Sequence, residues 1–582
     1  MIKKLKKAFT ITELVIVIAV IAILAAVLIP TFTSLIDKAN QSSDISAVRD
    51  MNLALKNAEA AGNKPEGASQ AMDILEEANL DARGYKALAS DHVIYYNLDL
   101  NAVLYMYISE DGYVVEFPEE YKDVSFYDES YTGKWFDLSA RMAGDETWKN
   151  ATQVSVTDLN SLLVTSAPNE GEEVTETATT SAVIMDGDKI VGAKVDSAAK
   201  LVSVVEYIET LEDEGEDFTL ILGNDVDLMN SEWKPISEYR GNFYGNYHTI
   251  DNMQITDITA EAEPYSANTQ ATNYYYYGFI SVFSGEEFKN VTFNNVKIDK
   301  PGQSYDIGKG NKRNNHTVGG AIGGIVVPNQ YYNSEYVVTV ENVKVNGSIT
   351  AFSRGGGVVG FIGGYNGSND YEKSQMTCTV NLTNCINNAD ITTVCDNEDL
   401  TNNGGNVFRT IGGILGTSNQ RQGSAVINFT GCQNNGDISG TRVGGMIGDV
   451  HVSSNTDGGS INFIGCSNSG KVAVMQVQVS NETTSWSGGG GIFGYVQGGY
   501  NYELNITNCT NSGEIVDESG FAGRAFLGTI IGGADDSSNV TLVMSGNTNT
   551  VTFNADSDRN NNKLTGSSNG QKIRTFLFTS ND

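Results

Sequence analysis

Two short blocks alternate five times along the second half of this chain, and little else constrains its fold so strongly. The first block is Gly-Gly, two apolar residues, Gly: Gly319-Gly-Ala-Ile-Gly, Gly356-Gly-Val-Val-Gly, Gly412-Gly-Ile-Leu-Gly, Gly444-Gly-Met-Ile-Gly and Gly490-Gly-Ile-Phe-Gly. After each comes the second: Val340-Glu-Asn-Val-Lys-Val-Asn-Gly-Ser-Ile, Leu382-Thr-Asn-Cys-Ile-Asn-Asn-Ala-Asp-Ile, Phe429-Thr-Gly-Cys-Gln-Asn-Asn-Gly-Asp-Ile, Phe463-Ile-Gly-Cys-Ser-Asn-Ser-Gly-Lys-Val and Ile506-Thr-Asn-Cys-Thr-Asn-Ser-Gly-Glu-Ile. Residues 288–298 read as a degenerate earlier copy and 528–553 as a closing one. A unit repeated in fixed order, with polar inserts of variable length between copies, predicts coils that stack and bury their faces on one another. Short strands of successive coils then pair, apolar residues point inward, and glycines stand where no side chain fits. Asparagines at matched turn positions, such as Asn388, Asn435 and Asn511 and their neighbours, are placed to hydrogen-bond along the stack.

The repeat also assigns the cysteines. Cys385, Cys432, Cys466 and Cys509 occupy one place in four copies, and Val343 occupies it in the fifth. Valine replaces a small buried apolar residue but neither a metal ligand nor half of an obligatory disulfide, so these are read as inward-facing free thiols. No Cys-x-x-Cys spacing occurs, and His92, His248, His316 and His451 are far apart in sequence, so no metal or cofactor is expected. The acidic run 396–403 lacks the ordered spacing of a calcium loop and reads as a polar loop.

At 582 residues with a formal charge of −34, the chain should form more than one domain and should repel nucleic acid. Its first thirty residues differ sharply from the rest. Lys3, Lys4, Lys6 and Lys7 precede an apolar run over 14–29 that stops at Pro30, and between residues 9 and 29 the only charge is Glu13. A helix over 9–29 would rise about 31 Å, enough for a bilayer core of about 30 Å. The basic head would stay on the cytoplasmic side. A lone carboxylate in hydrocarbon costs roughly 2.5 kcal/mol or more and marks a site that finds a partner.

This stretch resembles the N-terminus of type IV pilins and pseudopilins. In that family a basic leader ends in Gly or Ala before Phe, the fifth mature residue is Glu, and a proline lies near mature position 22. Here Ala8 and Phe9 flank the junction, Glu13 is the fifth residue after it and Pro30 the twenty-second. Ala8 stands where Gly is commoner and Thr12 where Ile is commoner. The resemblance implies cleavage before Phe9 by a prepilin peptidase, methylation of the new amine, and a helix over 9–30 that serves as membrane anchor and assembly core. In an assembled bundle the positive N-terminus of a neighbouring subunit would partner Glu13, and Pro30 would bend the helix. An ordinary secretory signal cut near Ala25 and Ala26 would give Glu13 and the Ala8–Phe9 junction no role.

After the leader (1–8) and anchor (9–30), residues 31–163 read as a pilin-like globular domain of α+β class, a long helix on a small antiparallel sheet. Ile45, Val48, Met51, Leu55 and Ala58 make one apolar stripe, Gly62 and Pro65 end the helix, and residues 70–79 form a short second one. Strand-like runs follow at 92–98, 102–109 and 113–117, the last two joined at Asp111-Gly112. Trp135 and Trp148 are expected to cap this core. Residues 164–190, rich in Pro, Glu, Gly, Thr and Ala, read as a flexible linker. Residues 191–582 read as an all-β, right-handed parallel β-helix opened by a capping helix at 201–211, with Asp196 as its cap. Its first coils resemble those of bacterial surface proteins whose β-helices carry the motif called GLUG.

Two functional classes follow. One is a structural and adhesive protein: a membrane-anchored precursor, then a cell-surface or pilus component polymerised with other pilin-like subunits and displaying the solenoid to glycans or surface partners. Tyr275, Tyr276, Tyr331, Tyr332, Tyr500 and Tyr502, outside the repeat blocks, are its candidate ligand contacts. The other is a membrane-anchored β-helical polysaccharide lyase or hydrolase. Its candidate carboxylates, Asp390, Asp437 and Glu514, share their repeat position with Lys471 and Ser348, which favours a solvated position over a catalytic one. The reading adopted is non-enzymatic.

Overall fold

The computed structural model describes residues 11–550 apart from 66–67, 81, 83–84, 86, 90, 110–111, 126–134, 139–143, 169–173, 175–178, 212–217, 229–230, 257–274, 300–315, 328–334, 365–376, 394–408, 421–423, 453–458, 476–487, 499–501, 519–525 and 535–539; side chains of residues 11–35 and of some strand-end residues also lie outside the described set. The chain divides into two compact units, 1–143 and 144–582.

In the first unit, helix α1 (Ile11–Ala60) continues through Pro30 for 50 residues, a length of about 75 Å. Its apolar stripe is buried: Val48, Met51 and Leu55 are at most 2% exposed. Gly62, at φ +86°, turns the chain where the Asn63 N–H bonds the Ala58 carbonyl at 2.9 Å, a left-handed stop that glycine makes without strain. Helix α2 (Ala68–Glu77) adds Ala71, Met72 and Leu75 to the same core. Both helices pack on an antiparallel sheet of β1 (His92–Asn97), β2 (Ala102–Ser109), β3 (Gly112–Phe117) and β4 (Trp135–Asp137), ordered β3-β2-β1-β4. Asn52 of α1 completes the ladder beyond the end of β3. Its amide donates to the Val103 carbonyl at 2.7 Å, and its oxygen accepts from the Val103 N–H at 2.8 Å. Buried Asp44 likewise accepts from the N–H groups of Leu88 (2.9 Å) and Ala89 (3.1 Å). Among the described residues no helix is long and apolar enough to cross a membrane; the apolar run 14–29 falls where side chains are not described.

The second unit starts earlier than the composition suggests, at residue 144 rather than in the 190s. Trp148, expected in the N-terminal core, is buried in this unit instead. Its indole N–H donates to Ser203 Oγ at 3.2 Å, and its ring meets Tyr207 edge-on at 5.4 Å. Both partners lie on helix α3 (Ala198–Glu209), which is capped by Ser197, while Asp196 pairs with Lys200 at 2.9 Å. Residues 182–195, assigned mostly to the linker, form a hairpin of strands Ala182–Asp186 and Lys189–Val195, and its second strand pairs in parallel with Thr219–Leu222. The hairpin therefore extends the first coil, and the Glu- and Thr-rich stretch before it is shorter than a full linker.

From there three sheets of 24, 8 and 7 strands, parallel apart from that hairpin, receive their strands in turn from successive repeats, the arrangement of a β-solenoid. One coil runs Arg354–Gly356 in the seven-stranded sheet, Val359–Gly364 in the eight-stranded sheet, then Thr377–Thr383 in the large one. The sequence blocks set the register: Gly356, Gly412, Gly444, Gly490 and Gly528 align, as do Leu382, Phe429, Phe463 and Ile506. The early copy (Glu287–Asp299) and the closing one (through Asn549) fall in the same register.

The glycines and asparagines meet inside this stack. A Cβ on Gly413 would lie 2.2 Å from the Gly445 carbonyl oxygen and 2.5 Å from Asn434 Oδ1; Gly357 faces Asn387 and Gly491 faces Asn511 at similar distances. Asn387, Asn434, Asn468 and Asn511 are fully buried. Each donates from Nδ2 to the next: Asn387 to Asn434 at 2.8 Å, Asn434 to Asn468 at 2.7 Å, Asn468 to Asn511 at 2.8 Å and Asn511 to Asn549 at 3.2 Å. Their second N–H goes to the carbonyl two residues on, for example Gly436 at 3.0 Å from Asn434, so the amide orientation is fixed. These glycines are required for space, not for a left-handed backbone. Left-handed φ occurs instead just before the thiol column, where Asn342, Asn384 and Asn508 (φ 51–54°) alternate with Gly431 and Gly465 (φ 63–64°), since both residues tolerate that region.

The thiol column is as the repeat implies. Cys385, Cys432, Cys466 and Cys509 are free and at most 1% exposed, with Val343 at the same register. Burial holds the Cys432 thiol well above its ordinary range, and pushes that of Cys378, also free, up to about 12.

Two measurements check this interior. Gly413→Ala should lower stability by about 3 kcal/mol through overpacking, whereas Gly465→Asn should be nearly neutral; comparable shifts in thermal midpoint would contradict the assigned roles. At mildly alkaline pH the five described cysteines should resist alkylation in the native chain and react once it is unfolded. Rapid native labelling of Cys432 or Cys466 would show that the column is not buried.

Candidate functional site

Tyr275 and Tyr276, expected to meet a ligand, lie inside the solenoid at 1% and 3% exposure. They belong to the strand Tyr275–Tyr277, all of it buried. Tyr275 stacks on His316 at 4.6 Å, and Tyr277 Oη lies 3.1 Å from His316 Nδ1. Tyr276, pointing the other way, packs with Val282, Val326 and Phe361. The run of tyrosines is core because both faces of this strand are covered. Tyr331, Tyr332 and Tyr500 lie outside the described residues; Tyr502 opens the strand Tyr502–Thr507, but its side chain is not among those described. Ala8 and Phe9 also fall outside, and for Glu13 and Pro30 only the helical backbone is described. The run 396–403 is likewise outside.

The side on which Tyr276 packs is a seam between the seven- and eight-stranded sheets. Register carries Tyr276 to Thr317, Arg354, Thr410 and Arg442 on one wall, and Val282 to Phe361, Thr417, Asp449 and Tyr495 on the other. It changes from apolar to ionic along the stack. The buried Arg442 guanidinium bonds Asp449 at 2.8 Å and lies 4.5 Å from the centre of the Tyr495 ring, while Thr417 donates to the same carboxylate. A carboxylate so buried and so paired serves the packing and offers little to a substrate.

Two of the three candidate carboxylates of the repeat bind backbone. Asp390 accepts from the Asp437 N–H at 2.9 Å, and Asp437 from the Lys471 N–H at 2.8 Å, each tying one coil to the next. Among the described residues no three His, Cys, Asp or Glu side chains gather as a metal would require.

The accessible face of the large sheet carries the remaining regular feature. Its outward residues alternate with the buried Val380, Leu382, Phe429 and Phe463 and form three rows. The central row is Asn381, Asn428, Asn462 and Asn505, bonded amide to amide at 2.9, 2.7 and 2.8 Å. One flanking row is Thr379, Val426, Ser460 and Glu503; the other is Thr383, Thr430, Ile464 and Thr507. Thr430 is exposed and Ile464 is 51% exposed. A second outer ladder runs through Asn346, Asn388, Asn435 and Ser469. The asparagines expected to bond along the stack do so in separate ladders: Asn388 and Asn435 are outside, and Asn511 belongs to the buried column. Sequence reasoning passed over the Asn381 row. Its signal was an Asn two residues after Thr379, Val426, Ser460 and Glu503 in each copy.

No family model, curated protein or solved structure matches this chain.

The inner and outer ladders should differ in energy. Asn434→Ala strands the amide of Asn387 and the Gly436 carbonyl without water, and should cost about 3 kcal/mol or more. Asn428→Ala, where solvent replaces the lost partner, should cost about 1 kcal/mol or less. Equal losses in denaturant midpoint would refute the distinction.

Proposed function

We propose that this chain is a pilin-like surface protein, cleaved before Phe9, assembled with other pilin-like subunits through its N-terminal helix, and carrying the β-solenoid as an adhesive module for glycans or other surface partners. The observation that carries this reading is the N-terminal motif: Ala8–Phe9, Glu13 as the sole charge in the apolar run, and Pro30 at its end. Helix α1 and the small antiparallel sheet it covers agree with the α+β subunit such a motif announces, and the apolar half of that helix would hold the precursor in the membrane. The solenoid suits display. It is built from local repeats, carries much of the chain's acidic charge, and devotes Asp390 and Asp437 to tying coils together.

Sequencing the mature N-terminus of the exported protein tests the first step. A chain that begins at Phe9 with a methylated amine is expected. Glu13→Ala should still be cleaved yet fail to enter filaments, because the buried partner of a neighbour's N-terminus is gone. A mature chain that starts after Ala26, or a Glu13→Ala variant that assembles normally, would overturn the reading.

A further inference from the structure

We propose that the uncharged face of the large sheet binds a neutral, extended β-linked polysaccharide lying along the Asn381–Asn505 row, an assignment that rests on the adhesive reading and supplies its ligand class. On a chain of net charge −34, the three outward rows across four coils hold one charged residue, Glu503, at a margin. Charged groups bound the area: Glu341, in register with Thr383 one coil back, joins Lys289 and Glu287 two coils back in an ion-pair network, and Asp390, Asp437 and Lys471 follow on the next strip. An anionic polymer would be repelled by the chain as a whole, and a cationic one would be drawn to those carboxylates rather than to this face. What remains is a neutral partner.

Hydrogen bonding narrows it further. Within the row Asn428 donates to Asn381, Asn462 to Asn428 and Asn505 to Asn462, so the two inner amides each spend one N–H on one neighbour and one oxygen lone pair on the other. Every carboxamide keeps a lone pair for a partner, and all but Asn462, whose second N–H reaches Ser460 Oγ at 3.4 Å, keep an N–H as well. That donor–acceptor pair repeats at the strand spacing of about 4.8 Å, comparable with one pyranose unit of an extended chain. Because the ladder already holds the amides in place, little rotamer freedom remains to be lost on binding. Hydroxyls of the Thr row and the exposed Ile464 lie alongside, the first matching sugar hydroxyls and the second the apolar face of a ring. A row of vicinal diols fits this pattern.

The test uses the full chain in detergent with insoluble β-1,4-glucan fibres as the neutral probe and polygalacturonate as the charged one. Retention on the glucan, unaffected by high salt, is expected. Thr430→Glu and Ile464→Glu, both at exposed positions, should each weaken it by about tenfold or more, the effect of placing a carboxylate against a neutral face, with the thermal midpoint unchanged. No retention on the neutral glycan, retention only on polygalacturonate, or retention that survives both substitutions overturns the assignment. Cells displaying the chain separate the two levels. Attachment that T430E leaves intact defeats this face while adhesion stands, and absence of attachment by the unsubstituted chain defeats the adhesive reading as well.

Discussion

The solenoid depends on a contact between a missing side chain and a buried amide. Column after column, the second glycine of one block leaves the space that the carboxamide of the other block fills, as Gly413 does for Asn434. The amide cannot be hydrated there, so each must find its partners in the coils above and below, and it does. Buried polar chains of this kind favour one register, because a displaced coil would leave several amides unpaired at once. Asn387 and Asn388 are adjacent, and a slip of one residue would bring Asn388 inward. In the next coils the corresponding residues are Asn435 and then Ser469, and a serine is too short to continue the chain of amides. The glycine column and the Asn/Ser difference thus specify the same alignment.

Much of this was legible in the sequence, for identifiable reasons. The repeat placed the coils, and the exchange of Cys for Val343 placed the thiols, because a replacement between copies reports what a position tolerates. The stripe Val48, Met51, Leu55 and the strand-like runs 102–109 and 113–117 placed α1 and the hairpin beneath it. Three things were not legible. The unit boundary at 143/144 depends on Trp148 finding Ser203, a partner 55 residues away, which no local composition signals. The burial of Tyr275 and Tyr276 depends on a seam between two sheets, where residues pointing away from the interior are enclosed as well. The meeting of glycine and asparagine joins blocks that neither period nor spacing connects.

The two units divide the work by their physics. The first is a helix on a small sheet, with buried polar anchors, Asn52 and Asp44, that fix the helix to strand and loop backbone. The second gains length by adding copies, each satisfied by its neighbours, and its outer face repeats whatever its strands carry there. A regular inner ladder therefore produces a regular outer one. The Asn381–Asn505 row is in this sense a consequence of the same register that fixes the glycine column, and any polymer that reads it reads that register.

Cross-linking of in-register positions tests this account most directly. Thr430 and Ile464 are paired across adjacent coils on the exposed face. In a chain carrying T430C with I464C, mild oxidation should close an intramolecular disulfide, and T430C with S460C, offset along the strand, should remain open. Efficient closure of the offset pair, or failure of the in-register one in a folded chain, would contradict the register on which the glycine and asparagine columns rest.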